Sequence, residues 1–264
     1  MRLTVVGKSP AWQDRGGACS CYLVTEGETS ILLDCGNGAF GALRELTDPA
    51  EVDSIFVSHL HADHFFDLVP YAFFLGNGLR GRDLPGLAWS SSPVEPRISI
   101  HAAPGAKDAF GAVCGIWNMP TMIADTFELS EYDPEGELTV GPLKVTFQPV
   151  PHYIETWAIS VVGSGGERLV YGADCAPNEG LIEFARGADL LIAEATLAEP
   201  EPDPDDRGHM TPREAAEHAR AAEVGRLVLT HIPDQIDPGW AIAEASAVFD
   251  GPVEVAAGAM QIDL

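Results

Sequence analysis

Short apolar runs separated by polar turns dominate the first half of the chain and predict a series of β-strands. These strands cover residues 1–7, 21–25, 30–34, 54–57 and 97–101. Apolar positions at helical spacing predict helices over residues 40–47, 65–75 and 104–115. The segment 76–97 is rich in Gly, Ser and Pro, so we expect an irregular excursion there.

The second half alternates strands with helices. Strands are predicted over residues 137–140, 144–150, 157–162, 168–171, 189–193, 226–230 and 253–256. Helices are predicted over residues 179–186, 212–222 and 240–249, and Thr211 followed by Glu214 fits the N-cap of the second. Hairpins mixed with strand–helix units predict an α/β fold in which two sheets pack as a sandwich with helices outside. No linker divides the chain, so residues 1–264 are expected to form one domain.

Composition and charge narrow the class of protein. Of the 264 residues 46% are hydrophobic, enough for a large core. The 15 basic and 40 acidic residues give a net charge of −25, which repels polyanions and argues against a large nucleic-acid partner. No apolar run is long enough to span a bilayer and no signal pattern begins the chain, so we expect a cytoplasmic protein without a membrane partner. The acidic, proline-rich run at 199–206 is expected to be a solvated loop that could act as a lid.

The five cysteines are an odd number without a short-loop framework, which predicts reduced thiols. Cys19 and Cys21 are too close in sequence for a CxxC pair. The other three, Cys35, Cys114 and Cys175, lie in or beside apolar segments and are expected to pack as small hydrophobic side chains.

Four side chains that can bind metal occupy six positions directly after the strand at 54–57: His59, His61, Asp63 and His64. Imidazole nitrogen and carboxylate oxygen suit zinc and similar divalent ions. A chance cluster on a loop is the alternative. Three further residues of this kind, His152, Asp174 and His231, each follow an apolar strand. A fold that aligns these strand ends would collect seven ligands at one edge.

With these residues the chain resembles the metallo-β-lactamase superfamily, and Asp34-Cys35-Gly36 resembles its Asp-x-Gly turn. The resemblance implies a four-layer αββα sandwich with a dinuclear site, zinc being the expected metal and manganese or iron the alternatives. It assigns His59, His61 and His152 to one ion and Asp63, His64 and His231 to the other, with Asp174 as the bridge. Asp34 is expected either to orient a ligand imidazole or to cap its turn.

The second half is similar to the ribonuclease Z-like branch, in which a Glu–His pair lies beside the metals. The matching residues are Glu194 and His209, although they could also flank the acidic loop without touching. Residues 41–43, 48–50, 229–233 and 249–253 are similar to actinobacterial cyclic-nucleotide phosphodiesterases of this branch. Ribonuclease Z carries a long tRNA-gripping arm between the positions of His152 and Asp174, whereas only 21 residues separate them here.

The resemblance therefore implies a hydrolase that cleaves a small phosphodiester, such as a cyclic nucleotide, by metal-activated hydroxide. Asp63, Glu194 and His209 would be its catalytic residues, and a homodimer is expected. An ester, thioester or lactone hydrolase, a tRNA 3′-processing endonuclease and a non-catalytic metal-binding protein are the alternatives. Trp157 could reshape the pocket, His218 is expected to be exposed on its helix, and His101 could approach the site from its strand end.

Overall fold

Two seven-stranded sheets form the framework of the part described by a computed structural model, namely residues 1–78, 98–203 and 206–264. The strands are β1 (Arg2–Gly7), β2 (Cys21–Glu26), β3 (Thr29–Leu33), β4 (Ser54–Val57), β5 (Ser99–Ala102), β6 (Glu128–Glu131), β7 (Leu138–Val140), β8 (Leu143–Val150), β9 (Thr156–Val162), β10 (Arg168–Tyr171), β11 (Leu190–Glu194), β12 (Leu227–Thr230), β13 (Val253–Val255) and β14 (Gln261–Asp263). The helices are α1 (Ala39–Leu46), α2 (Ala62–Phe65), α3 (Leu68–Ala72), α4 (Ala106–Gly115), α5 (Met122–Thr126), α6 (Glu179–Ala185), α7 (Pro212–Ala221) and α8 (Pro238–Ser246), with a 3-10 turn at Pro49–Glu51 and a π-helical segment at Phe73–Gly78.

Each sheet is parallel on one side and antiparallel on the other. The first has the order β14-β1-β2-β3-β4-β5-β6, and the second β13-β12-β11-β10-β9-β8-β7. Strands β3 to β6 are parallel, as are β10 to β13. Both β8 and β10 are antiparallel to β9, so the C-terminal ends of β8, β10, β11 and β12 lie at one edge of the second sheet.

The central strands, such as β4, β11 and β12, are buried on both faces, which explains their nearly continuous apolar runs. In β2, Tyr22 and Val24 point into the space between the sheets, whereas Leu23 packs under the helices that cover the first sheet. In β12, Val228 points inward and Leu229 packs against α6, α7 and α8. Three apolar layers therefore separate four layers of secondary structure, and the predicted α/β αββα sandwich is confirmed.

The predicted helix over residues 65–75 is wrong in its extent. Helix α2 begins earlier, inside the histidine cluster, and a separate helix α3 follows. Pro70 is the reason, because it has no N–H to donate to the carbonyl of Phe66, and that carbonyl accepts from Val69 N instead (3.2 Å). Most of the predicted excursion at 76–97 lies outside the described residues.

Two strands and one helix were not predicted from the sequence, namely β6, β14 and α5. The two strands lie at opposite edges of the first sheet. No residue of β6 is fully buried, and β14 has three residues of which only Ile262 is buried, so both are too short and too exposed to give the alternating pattern that indicates a strand. The chain therefore ends in a strand paired with β1, beyond the predicted last strand.

All five cysteines are buried and free, as predicted. The capping box at the start of α7 is also confirmed, since Glu214 N donates to Thr211 Oγ1 (3.2 Å) and Thr211 N donates to Glu214 Oε2 (3.0 Å). None of the described helices has the length and apolar character that a membrane span requires.

Candidate metal centre

The predicted site residues lie just after strand ends, at one edge of the sandwich. His231 directly follows β12. Three others lie two or three residues after a strand end, His59 after β4, His152 after β8 and Asp174 after β10. The turn at Gly36 lets the histidine segment approach, because a Cβ there would lie 1.8 Å from the carbonyl oxygen of Asp63. His231 has a φ of 57°, in the left-handed region that only a few per cent of non-glycine residues adopt.

The first ligand group consists of His59, His61 and His152. The Nδ1 atom of His61 lies 3.2 Å from Nε2 of His59 and 3.1 Å from Nε2 of His152. Tetrahedral ligands held at about 2.0–2.1 Å from a zinc ion are roughly 3.4 Å apart, close to this spacing. The three nitrogens could therefore hold one divalent ion.

The second group consists of Asp63, His64, Asp174 and His231, all buried. Nε2 of His231 lies 3.2 Å from Asp63 Oδ2 and 3.3 Å from Asp174 Oδ2. Nε2 of His64 lies 3.4 and 3.3 Å from the same two oxygens. This arrangement could hold a second ion.

Asp174 connects the two groups. Besides the contacts above, its Oδ2 atom lies 4.0 Å from Nε2 of both His59 and His152. Its Oδ1 atom and Nε2 of His64 are buried without a hydrogen-bond partner among the described residues. Buried polar atoms normally have partners, so the donor set fits bound cations.

Asp34 and Ser58 determine which ring nitrogen of two histidines carries a proton. Asp34 Oδ2 accepts from Ser58 Oγ (2.8 Å) and from His64 Nδ1 (2.7 Å). Because the Ser58 hydroxyl donates its only proton to Asp34, it must accept from His59 Nδ1, 3.0 Å away. In the neutral form of each ring the proton therefore sits on Nδ1, and Nε2 is the nitrogen available to a metal.

Two further rings, those of His152 and His231, are oriented in the same manner. His152 Nδ1 donates to the carbonyl oxygen of Gly208 (2.7 Å). Thr196 Oγ1 donates to Glu194 Oε2 (2.8 Å), so it accepts from His231 Nδ1, also at 2.8 Å. Ser58 and Thr196 were not singled out from the sequence, although Ser58 directly precedes the histidine cluster.

The predicted Glu–His pair is in contact, and the alternative without contact is wrong. His209 Nδ1 lies 2.9 Å from Glu194 Oε1, and the His209 ring centroid is 5.0 Å from that of His152 and 5.7 Å from that of His231. Glu194 is 1% exposed and also accepts from the backbone N–H of Met210 (3.0 Å). Burial lowers the pKa of His209, but the hydrogen bond and charge of Glu194 outweigh it and raise this pKa to about 9.

The surroundings of the ligand histidines shift their pKa values in opposite directions in the two groups. Burial lowers the pKa of His59 well below its ordinary value and that of His152 to about 4, so both rings are neutral at pH 7. Burial also opposes charge on His64, but the carboxylates of Asp174 and Asp34 raise its pKa well above the ordinary value. A cation at His64 Nε2 would interact with the same carboxylates, so proton and metal compete there.

Three expectations about other residues are wrong. Trp157 does not line the site, because it is 9% exposed and packs between the sheets near Tyr132. His218 is buried, and its Nε2 atom accepts from Asn178 N (2.9 Å). His101 does not reach the site, because its ring stacks on Phe56 with centroids 4.9 Å apart.

Comparison with known proteins gives the family. The family model of the beta-lactamase superfamily domain matches residues 29–232. The chain belongs to the beta-lactamase superfamily. It is 29% identical to "Probable metallo-hydrolase YhfI" of Bacillus subtilis over 97% of each chain. The crystal structure of YhfI superposes with a TM-score of 0.83 and 26% identity, covering 99% of this chain and 98% of YhfI.

Two further relatives of this superfamily member are informative. "Uncharacterized protein Rv1339" of Mycobacterium tuberculosis is 31% identical over 96% of this chain and 88% of its own length. Ribonuclease Z of Myxococcus xanthus is 28% identical over 100% of this chain and 98% of its own length. The chain is therefore a metallo-hydrolase of the β-lactamase fold with ribonuclease Z-like relatives, as the resemblance implied.

Proposed function

We propose that this metallo-hydrolase is a phosphodiesterase that uses two divalent ions and cleaves a small cyclic nucleotide. One ion would be held by His59, His61 and His152, and the other by the group around His64, with Asp174 between them. Zinc is the expected metal because of the His and Asp donors, with manganese or iron as alternatives. When bound, the ions would lower the pKa of water toward ~7 and withdraw charge from phosphoryl oxygens.

The contact between His209 and Glu194 carries the proposal. His209 Nδ1 is engaged by Glu194 at 2.9 Å, so Nε2 is the ring atom available to a phosphoryl oxygen or to the departing ribose oxygen. A phosphodiester has an additional charged oxygen for such a donor, whereas a carboxylic ester does not. Asp63 Oδ2 faces His231 Nε2 at 3.2 Å, so this oxygen would bind metal, and we assign to the same carboxylate the orientation of the attacking water.

Processing of tRNA is a second candidate because of the ribonuclease Z relative. Two observations support the small substrate instead. Only the β9–β10 hairpin lies between His152 and Asp174, and the net charge is −25. A polyanion such as tRNA would approach against this charge, whereas a single phosphodiester group can be neutralised by two ions and His209.

A substrate panel with metal-analysed protein tests the proposal. The panel contains 3′,5′-cyclic AMP, bis(p-nitrophenyl) phosphate, a precursor tRNA and p-nitrophenyl acetate, each with added zinc or manganese. We expect hydrolysis of the first two, and a loss of about 100-fold or more in kcat for His209→Ala. His101→Ala is the matched histidine control outside the site. Absence of phosphodiester turnover, or full turnover by H209A, would contradict the proposal.

A further inference from the structure

Two exposed apolar side chains lie directly beside a residue of the first ligand group. Tyr153 is 49% exposed and Ile154 is 37% exposed, and both follow His152 in sequence. The ring centroid of Tyr153 is 4.9 Å from that of His152 and 5.7 Å from that of His209. The exposed part of the Tyr153 ring therefore lies beside the candidate metal site, where a planar substrate group could stack on it and bury its apolar surface.

The Tyr153 ring is held in place by the segment that carries His209. Its hydroxyl donates to Glu201 Oε1. The other oxygen of Glu201 accepts from the backbone N–H of Gly208 (2.9 Å). The carbonyl of Gly208 accepts in turn from His152 Nδ1 (2.7 Å), so the ring, the loop and a ligand imidazole are linked.

Gly208 is needed for this packing. A Cβ at that position would lie 2.4 Å from Cε2 of Tyr153, so the ring rests directly on the backbone. Any larger residue would displace the ring. The tyrosine is therefore oriented before a substrate binds, which reduces the entropy cost of using it as a contact surface.

The surroundings of the ring also restrict the charge of what it can bind. Glu201 touches its hydroxyl, and the exposed Asp206 acts on it electrostatically. Additional phosphate groups on this side would meet like charge, whereas a neutral planar group would not.

We propose that Tyr153 is a specificity-determining residue on which the neutral base or aryl group of the substrate stacks while its phosphodiester lies at the ligand groups. The inference rests on the proposed function and narrows it to diesters that carry a neutral aromatic group and no further phosphates. Stacking of a base on an aromatic side chain has the strength to select such substrates.

Binding of two matched phosphates by the zinc-loaded protein tests the inference, with AMP and ribose 5-phosphate differing only in the base. Calorimetry should give AMP the lower Kd by about tenfold or more. Tyr153→Leu should bring the two Kd values together while leaving that of ribose 5-phosphate unchanged. Tyr153→Phe should keep most of the preference, because the ring remains. Ile116→Ala, which truncates an 82% exposed side chain on another element, is the control.

Equal Kd values in the wild type, or an undiminished AMP preference in Y153L, would overturn the role of Tyr153. Turnover of bis(p-nitrophenyl) phosphate by the same preparations tests the phosphodiesterase activity separately from the role of Tyr153. Turnover without base preference overturns the role of Tyr153 alone, whereas base preference without turnover overturns the phosphodiesterase. Binding of neither phosphate overturns the role of Tyr153, and absence of turnover in addition overturns both.

Discussion

Asp34→Asn is the substitution with the most specific expected consequence. The carboxylate is fully buried and accepts four hydrogen bonds. Oδ1 accepts from Ser58 N (2.7 Å), and Oδ2 accepts from Ser58 Oγ, His64 Nδ1 and Tyr171 Oη at 2.7 to 2.8 Å. An asparagine places an NH₂ group where one of these oxygens was, and that group cannot accept.

Both orientations of the amide conflict with a donor. If the NH₂ replaces Oδ1, it meets the N–H of Ser58 across 2.7 Å. If it replaces Oδ2, the two hydroxyls can rotate, but His64 must move its proton to Nε2 and loses the lone pair that binds metal. A buried donor without a partner costs about 1–3 kcal/mol, and loss of such a supporting carboxylate typically costs about 10–100-fold in metal affinity.

Zinc affinity by chelator competition and the free energy of unfolding by urea titration are the measurements. We expect D34N to lose about 10–100-fold in affinity and about 1–3 kcal/mol in stability. Asp53→Asn is the matched control, because Asp53 is exposed and accepts from Ser30 N (2.8 Å). Wild-type zinc affinity together with wild-type stability in D34N would refute the assignment of Asp34 as the residue that orients His64.

Three further substitutions test other parts of the account. Glu194→Gln should lower the pKa of His209 from about 9, since Glu194 raises it, and an unchanged pKa in an NMR titration of chelator-treated protein would disprove this cause. Thr196→Val should weaken metal binding about 10-fold or more because His231 loses its acceptor, whereas Thr196→Ser should not, and competition titrations compare the two. His218→Leu should cost about 0.5–1.5 kcal/mol of unfolding free energy because the partly buried N–H of Asn178 loses its acceptor; stability equal to wild type in urea would argue against that hydrogen bond.

The site could be predicted from the sequence because histidine and aspartate are the residue types that bind divalent metals. Histidine and aspartate residues that follow apolar strands indicate a metal site at the sheet edge where those strands end side by side. The structure places the seven side chains together. Ser58, Thr196 and Tyr153 could not be singled out in this way. Ser, Thr and Tyr are common everywhere, and their importance here comes from which atoms they meet across the fold.

The elements of the core were predicted better than those of the periphery. Strands such as β4 and β12 are buried on both faces, so their composition alone indicates them. The edge strands β6 and β14 are mostly exposed, and the pairing with β1 that creates β14 joins the two ends of the chain. His218 shows the same limit, because its neighbours on α7 suggested a solvated face while contact with Asn178 buries it.

Metal titration of chelator-treated protein, followed by hydrolysis of 3′,5′-cyclic AMP, tests the central claim most directly. Two ligand groups that share Asp174 predict that activity is absent after chelation and reaches its maximum at two equivalents of zinc or manganese. Saturation of both sites without cleavage of the phosphodiester, or full activity at a single equivalent, would contradict the dinuclear phosphodiesterase.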